Sequence, residues 1–549
     1  MIENLFLIDN LSNIIGFFIV FFTVLVMVYS FSYMRGTKTS LRYYAYMLLT
    51  GIASFALVYA NNLILLIILW GFLGMLLYML IGFGVTGRTP ATAKKTFIII
   101  GGTDAIMLLG LGLVYKLSGT FSMDQISISI DSRTATAAYL CLAAGALAKA
   151  GCMPFHTWVP DTSEDAPVPV TAYLPASLDK LLGIYLLTRM SLNLFVLNDA
   201  MHVLLMSVGS ITIVAGVMMA LVQHDMKRLL GYHAVSQVGY MVLGIGTGNP
   251  IGIAGGLFHL INNALYKSCL FLTGGAVEKQ VGTSDLEKLG GLSKVMPITF
   301  TTFLIAALAI SGIPPLNGFA SKWMVYQSII ATANQHRFLW VVFLIAAVFG
   351  SALTLASFMK LIHAIFLGQP SQSMQKSISR VKEAGAAMWV PSAILAALCI
   401  IFGVLIYRIP LPMIIMPGIG QNVEFIGVWG VRLAVFAVLI GLAIGYGIFM
   451  LGSKPSSRKT DTFVGGESVE EIPEMRLSGT EFYNTIKEIK ILKIIFFLAE
   501  NKFFDVYEVG AKLTFGFNAL LRMIHNGVLP SYLSWCLLGT IILFYLLLG

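Results

Sequence analysis

The chain has 549 residues, of which 57% are hydrophobic and only 11% charged. A soluble globular domain carries about 25% charged residues, so the composition excludes a water-soluble enzyme and points to a polytopic membrane protein. The formal net charge of +9 does not imply nucleic-acid binding, because much of the basic excess falls in short loops between apolar runs, where it sets membrane orientation.

At about 20 apolar residues per crossing, the sequence predicts fourteen spans. The first six lie near 12–34, 43–60, 62–84, 95–116, 134–152 and 168–190. The middle four lie near 201–222, 228–246, 250–276 and 298–333, and the last four near 339–367, 386–407, 429–451 and 531–548. Residues 12–34 open as a full-length span without a short apolar stretch and cleavage site, so no removed signal peptide is expected. Residues 298–333 are too long for one plain helix and contain Gly312, Pro314 and Pro315, which predicts a broken helix. The fifth span runs into Gly151 and Pro154 in the same way.

The two breaks suggest a repeat. Residues 43–190 and 201–367 each supply five spans, and in each block the fourth is interrupted. Five is odd, so the blocks would insert with opposite orientation, an inverted repeat. The remaining segments are an N-terminal span and loop (1–42), two further spans (386–451), a polar cytoplasmic loop (452–477), an amphipathic lateral helix (478–527) and a final span (531–549). In the lateral helix Lys487, Lys490 and Lys493 recur every third residue opposite Ile486, Ile489, Ile491, Phe496 and Phe497. Such a helix lies along the membrane surface, ~70 Å long if continuous at 1.5 Å per residue. It either holds this subunit together or reaches across its neighbours.

Alternate loops carry Arg35, Lys38 and Arg42; Arg88, Lys94 and Lys95; Lys227 and Arg228; Lys279, Lys288 and Lys294; Lys376, Arg380 and Lys382; and Lys454, Arg458 and Lys459. The positive-inside rule puts these in the cytoplasm and both termini outside. An acidic loop from Asp161 to Asp165, on the same side, is the exception. The five cysteines (Cys141, Cys152, Cys269, Cys399 and Cys536) are scattered with no metal-ligand spacing. There is no GxGxxG or phosphate-binding loop either, so no cofactor is expected in this chain and redox chemistry would belong to partners.

Four lysines sit inside otherwise apolar helices: Lys149, Lys180, Lys267 and Lys322. An ammonium costs from roughly 3 to over 10 kcal/mol at a bilayer's centre, so such groups face a wet or paired interior and mark charge movement. His259, Asn263 and Lys267 are spaced by four, which puts them on one helix face. They form either a proton relay or a lysine satisfied by carbonyls beside a structural histidine. Lys180 follows Asp179, which is expected to pair across to another helix, with Pro169 and Pro175 freeing carbonyls nearby. Lys149 and Lys322 could each snorkel to the surface, but both occupy broken helices, where irregular backbone tends to line a cavity. Asp104, beside a glycine pair, is the only carboxylate within the first four spans and the expected partner of Lys149. His224 and His233 flank a predicted turn, and His224 is either where protons enter or a solvated loop histidine.

Together the segments YANNLILLIILWGFLGMLLYMLIGF, ALAKAGCMPFHTWVPDTSEDAPVPVTAYL, ALVQHDMKRLLGYHAVSQVGYM, FHLINNALYKSCLFL and SGIPPLNGFASKW resemble the proton-conducting antiporter-like subunits of complex I, membrane-bound hydrogenases and Mrp antiporters. The likeness runs from about 12 to 370, and its wording is nearest the hydrogenase and formate-hydrogenlyase branch. The resemblance implies that Lys149 is the broken-helix lysine, Lys267 the central one and Lys322 the exit-side one. It also implies that Lys180 matches a lysine of the antiporter and hydrogenase branches, and His259 the relay histidine.

Three departures stand out. The family's glutamate after Trp70 is Gly71 here, for which Asp104 or Asp179 would substitute. Its histidine on the sixth span falls at Pro175, its second relay histidine is Asn263, and the chain aligns from the family's third helix. The resemblance implies integral membrane partners and hydrophilic redox subunits holding iron–sulfur and nickel–iron or flavin groups. It further implies lipid contacts, protons or exchanged sodium as cargo, and the cytoplasmic (inner) membrane of a prokaryote. The readings it leaves open are a proton-translocating subunit of a redox-driven complex, a subunit of an Mrp-type antiporter, and a non-pumping scaffold.

Overall fold

The computed structural model describes residues 5–37, 39–335, 338–426, 430–451 and 479–548. Lys38 and the predicted polar loop 452–477, with Lys454, Arg458 and Lys459, lie outside the described residues. The chain is an all-α polytopic membrane protein. In order, it begins with α1 (Asn10–Tyr33), α2 (Ser40–Tyr59), α3 (Leu63–Ile81), α4 (Thr89–Ser118), α5 (Arg133–Ala150), α6 (Trp158–Asp165), α7 (Val168–Tyr173) and α8 (Asp179–Arg189). Then follow α9 (Asp199–Leu221), α10 (Met226–Gly246), α11 (Pro250–Val281), α12 (Pro297–Ser311), α13 (Asn317–Ala331) and α14 (Leu339–Ile362). After these come α15 (Gln372–Ser377), α16 (Ala386–Val404), α17 (Met416–Ile419), α18 (Val431–Leu451) and α19 (Asn484–Glu488).

Ten described helical segments are long and apolar enough to cross a membrane. The other segments predicted as spans are α5, α10, α11 and the pair α12 and α13. Most starts carry a sequence-encoded cap: Asp9 accepts from the Ser12 amide, Asn62 from Ile64 and Leu65, Asn198 from Met201, and Asp225 from Arg228. Pro250 and Pro297 open α11 and α12, where a missing N–H costs nothing.

Burial separates inner from outer helices. Nearly every residue of α10 is buried, and α11 is buried from Ile251 to Val277. In contrast α1 and α14 bury one side and present Phe17, Val24, Phe31, Ile345 and Phe349 outward, the apolar exterior a bilayer solvates. Glycines let inner backbones touch: a Cβ built on Gly209 would lie 2.7 Å from the Gly239 carbonyl, and one on Gly183 would lie 2.6 Å from the Ala146 carbonyl. These contacts pin α9 to α10 and α8 to α5.

Both predicted breaks are present, and they are built alike. Gly151 (φ +78°) ends α5, its amide bonding Ala148 and the next amide bonding Leu147. Gly312 (φ +81°) ends α12, with its amide on Ala309 and the next on Leu308. Each is a left-handed glycine cap, which only a residue without a Cβ adopts at no steric cost. Ahead of α8, Pro175 lacks an N–H and the helix widens over Leu174–Leu178, so that the Asp179 amide reaches back to Leu174.

The acidic stretch expected as a loop is a helix, α6, and its charges are engaged. Lys95 and Arg228 bind Asp161 at 2.7 and 3.2 Å. Arg228 binds Glu164 at 2.7 Å, and Arg88 pairs with Glu164 and Asp165. The apparent exception to the charge rule is thus the counter-charge of the basic loops.

A second compact unit begins at Lys490. It comprises α20 (Lys490–Glu500), α21 (Val506–Ile524) and α22 (Leu529–Leu548). The single helix expected over 478–527 is therefore divided into α19, α20 and α21. Lys502 adopts φ +59° at the second break, and the Asp505 carboxylate caps α21 at Tyr507. Amphipathic periodicity continues across such a break, which is why it predicts the face of a helix better than its length.

Candidate functional site

The four lysines are all buried, each at most 1% exposed. Each donates to a backbone carbonyl. Lys149 reaches Trp70 at 3.4 Å, Lys180 reaches Ala150 at 3.1 Å, Lys267 reaches Leu230 at 2.8 Å and Lys322 reaches Ile310 at 2.8 Å. Among the described residues none of the four lies in an ion pair within 4.0 Å.

Lys180 and Lys322 occupy matching places. Lys180 holds the penultimate region of the break in α5, and Lys322 that in α12, each ammonium 3.8 Å from the Cβ position of the left-handed glycine. The C-terminal carbonyls of a helix carry about half a negative charge, so a broken helix supplies a counter-charge without a carboxylate. The Trp158 indole takes the Ala148 carbonyl at 3.0 Å, which completes the cap of α5. Aromatic faces add to this: Lys149 stands 4.7 Å from the Trp70 ring centroid and Lys322 4.8 Å from that of Tyr240.

The acids are placed differently from expectation. Lys149 and Asp104 form no ion pair, and Asp104 Oδ1 has no hydrogen-bond partner among the described residues. Asp104 is half-buried on α4, next to outward-facing Ala105 and Ile106. Asp179 is 3% exposed, and its Oδ2 also has no partner among the described residues. Its charge acts on both Lys149 and Lys180. At Gly71, where the resemblance leads one to expect a glutamate, an added Cβ would meet nothing within 4 Å.

His259, Asn263 and Lys267 share a fully buried face of α11 but do not bond one another. His259 Nδ1 lies 2.9 Å from Ser321 Oγ and its Nε2 3.2 Å from Gln237 Oε1, with the Tyr266 hydroxyl 3.3 Å from Nε2. The neutral ring therefore donates from Nε2 to Gln237 and accepts at Nδ1 from Ser321. Asn263 donates to the Ala176 carbonyl at 3.4 Å, in the widened turn before Asp179. It links the central helix to the first block.

His233 does not flank a turn. It is buried within α10, 2.7 Å from Ser357 Oγ and stacked near Phe358, whose ring also lies 5.8 Å from the Lys267 ammonium. His224 is on the surface and pairs with Glu287 at 2.9 Å.

Sequence reasoning passed over Gln237, Tyr240, Asn262, Ser321 and Lys360. The first two were detectable: His233, Gln237 and Tyr240 fall at i, i+4 and i+7 on α10, a polar stripe in a helix with no solvent-facing side. The Asn262 side chain donates to the Asn317 backbone carbonyl and accepts from the Asn317 side-chain amide, both at 3.0 Å, tying the start of α13 to α11. Lys360 donates to the Leu221 and Gln223 carbonyls at 2.8 and 2.7 Å, capping α9. A single lysine near the end of a span looks the same in sequence as one that snorkels. No group of three or more His, Cys, Asp or Glu side chains placed to hold a metal occurs among the described residues.

This arrangement has relatives. The chain is 33% identical over 431 residues to F(420)H(2) dehydrogenase subunit L of Methanosarcina mazei, covering 72% of this chain and 63% of that one. It is 32% identical over 498 residues to Na(+)/H(+) antiporter subunit A1 of Staphylococcus saprophyticus, covering 80% and 61%. The chain thus spans about three fifths of the length of these curated relatives. The solved structure of the membrane-bound sulfane sulfur reductase, an archaeal respiratory membrane complex, superposes with a TM-score of 0.76 at 25% identity, covering 97% of this chain and 88% of that one. Residues 60–350, which hold α3 to α13 and all four lysines, match the family described as NADH:quinone oxidoreductase/Mrp antiporter, TM, and the chain belongs to that family.

Proposed function

We propose that this chain translocates protons, alone or in exchange for sodium, as a membrane subunit of a redox-driven complex of the complex I or energy-converting hydrogenase type. One observation carries the reading: four buried ammonium groups rest on carbonyl oxygens, and three of them also face aromatic rings, with no ion pair among the described residues. A proton can leave such a lysine without a carboxylate being stranded, because the carbonyl that accepted the hydrogen bond is polar but uncharged. His259, held between Ser321 (the residue before Lys322) and Gln237, stands eight residues before Lys267 on α11 and can pass a proton by ring donation and acceptance. Asn263 reaches toward the Asp179 and Lys180 side, where Lys149 lies. Charge shifts in partner subunits would alter which lysine holds the proton.

Redox coupling is favoured by the likeness across nearly the whole chain to a respiratory reductase complex and by the relative named as a dehydrogenase subunit. The partners are then further membrane subunits and hydrophilic redox subunits carrying the metal or flavin groups, in a prokaryotic inner membrane with both termini outside. The likeness to an antiporter subunit favours a second reading, exchange of cations for protons on existing gradients. A scaffold that no longer pumps would have no use for four buried lysines. The test is Lys267→Ala in the assembled complex, with pumping followed in membrane vesicles by a pH-sensitive dye. Loss of pumping with assembly intact is expected, and unchanged pumping would remove the central relay.

A further inference from the structure

We propose that His233, which the relay described above leaves unused, is a further proton-carrying residue: it shares one proton with Lys267 and serves that lysine from the basic end of α10. The inference rests on the proton-translocation reading and extends it beyond the four lysines and His259. It starts from the polar stripe of α10, a helix in which nearly every residue is buried. The stripe holds His233, Gln237 and Tyr240. Gln237 Oε1 holds His259 at 3.2 Å, and Tyr240 turns its ring to the Lys322 ammonium at 4.8 Å. Both therefore attend a group of the relay. His233 is the remaining member, one turn nearer Lys227 and Arg228, the end that the positive-inside rule places in the cytoplasm.

Its surroundings put it beside Lys267. The Lys267 ammonium donates to the Leu230 carbonyl at 2.8 Å, three residues before His233 on the same helix. The His233 ring stands 4.8 Å from the Phe358 ring centre, and the Lys267 ammonium 5.8 Å from it. Close contacts fix α10 against α11 on either side of this pair. A Cβ on Gly256 would lie 2.9 Å from the Met241 carbonyl, and one on Gly274 would lie 3.1 Å from Met226 Cε. His233 is fully buried, its Nε2 lies 2.7 Å from Ser357 Oγ, and its Nδ1 has no partner among the described residues. Polar groups also continue from the ring toward the surface. One turn along α14 from Ser357, Lys360 holds the Leu221 and Gln223 carbonyls, and Gln223 is partly exposed. The charges that act on His233 are those of Lys267 and Lys322, both positive.

Positive charges alone around the ring mean that His233 and Lys267 hold one proton between them, not two. Nε2–H donates to Ser357, which leaves the lone pair of Nδ1 to take a proton arriving from the basic end, so that an Nδ1–H bond forms. That bond then breaks, its electron pair stays on the ring, and an N–H bond forms on the neutral Lys267 amine, directly or through one water. Ser357 keeps the ring oriented throughout. A histidine that only tied α10 to α14 would need the Nε2 bond and would have no use for a second buried nitrogen without a partner.

The test is His233→Gln in the assembled complex, because glutamine keeps a bond to Ser357 but cannot carry a proton. Pumping at matched complex content is expected to fall by about tenfold or more. The solvent isotope effect should exceed that of the parent, since proton delivery then limits the rate. Ser357→Ala, which keeps the ring, should retain most of the pumping. Parental pumping by His233→Gln overturns the proposal, and so does a slowdown with an unchanged isotope effect, which marks loss of packing. Should His233→Gln fail to assemble, His233→Asn is judged by the same two readouts, and failure of both to assemble assigns His233 to folding and overturns the proposal. Lys267→Ala run alongside keeps the two ideas apart. Pumping lost in Lys267→Ala but kept in His233→Gln sinks His233 alone, whereas pumping kept in Lys267→Ala removes the central relay and the partner of His233 with it.

Discussion

Gln237 is the residue on which the central histidine depends. Its Oε1 receives His259 Nε2 at 3.2 Å and the Tyr266 hydroxyl at 3.4 Å, and all three residues are fully buried in the protein. Replacing it with leucine leaves the Nε2 proton without its acceptor and the ring free to turn, whereas glutamate keeps an oxygen in place. Gln237→Leu is therefore expected to slow pumping by about tenfold, within the span of a lost acid–base contribution, and Gln237→Glu to slow it less. Dye-monitored pumping at matched complex content measures the ratio, and equal rates for the two variants would mean that His259 is positioned by Ser321 alone. Lys360 belongs to the same scale. With Lys180 and Lys322 it makes three buried lysines seated on carbonyls at helix ends, those of α9, α5 and α12. A helix end is the counter-charge that apolar surroundings can supply without a second ion.

Among the elements, α6 shows how the basic side of the protein is held. Burial pushes the Glu164 carboxyl up, but hydrogen bonds and charges from Arg228 and Arg88 outweigh it and hold it below the usual carboxylate range. A depressed value in the folded protein means stability that is present above the unfolded value, about 4.3, and lost as pH falls through the folded one. Glu164→Gln should lower the melting temperature at neutral pH by the equivalent of about 1 kcal/mol, in line with an ion pair near the surface. The gap between the two proteins should close as the pH drops below the carboxylate range, and a gap independent of pH would assign the loss to packing. The breaks in α5 and α12 were readable from Gly151 with Pro154 and from Gly312 with the Pro-Pro pair, because a left-handed cap needs glycine and a proline forbids continuation. The helical state of Asp161 to Asp165 was not readable, since its three acids are stabilised by Lys95, Arg88 and Arg228 from elements distant in sequence.

At the scale of the whole molecule the buried charge is unequal. Lysines were visible as single anomalies in apolar runs, but their partners were not, because backbone carbonyls leave no mark in a sequence. Lys149 and Lys180 have acids near them, whereas Lys267, Lys322 and Lys360 share residues 199–367 with no buried carboxylate among the described residues. These three ammonium charges are thus held by dipoles and rings, which attract a proton more weakly than an anion does, whereas Lys227 nearer the helix start is paired with Glu278 at 2.8 Å. That weakness is useful only if protons must leave again. Ser357, 2.7 Å from His233 Nε2 and next to Phe358 beside Lys267, is where the idea can be reversed. A carboxylate there would attract a nearby positive charge by on the order of 4 kcal/mol at 4 Å and an effective dielectric of 20. Ser357→Asp should hold Lys267 or His233 in its charged form and stop turnover, while Ser357→Ala, which removes one hydrogen bond, should leave most of it. Both variants keep the volume small enough for α14 to pack, so assembly can be matched before pumping is compared. Equal pumping by Ser357→Asp and Ser357→Ala would show that the second block tolerates a fixed counter-charge, and the unequal distribution of acids would then have no part in releasing the proton.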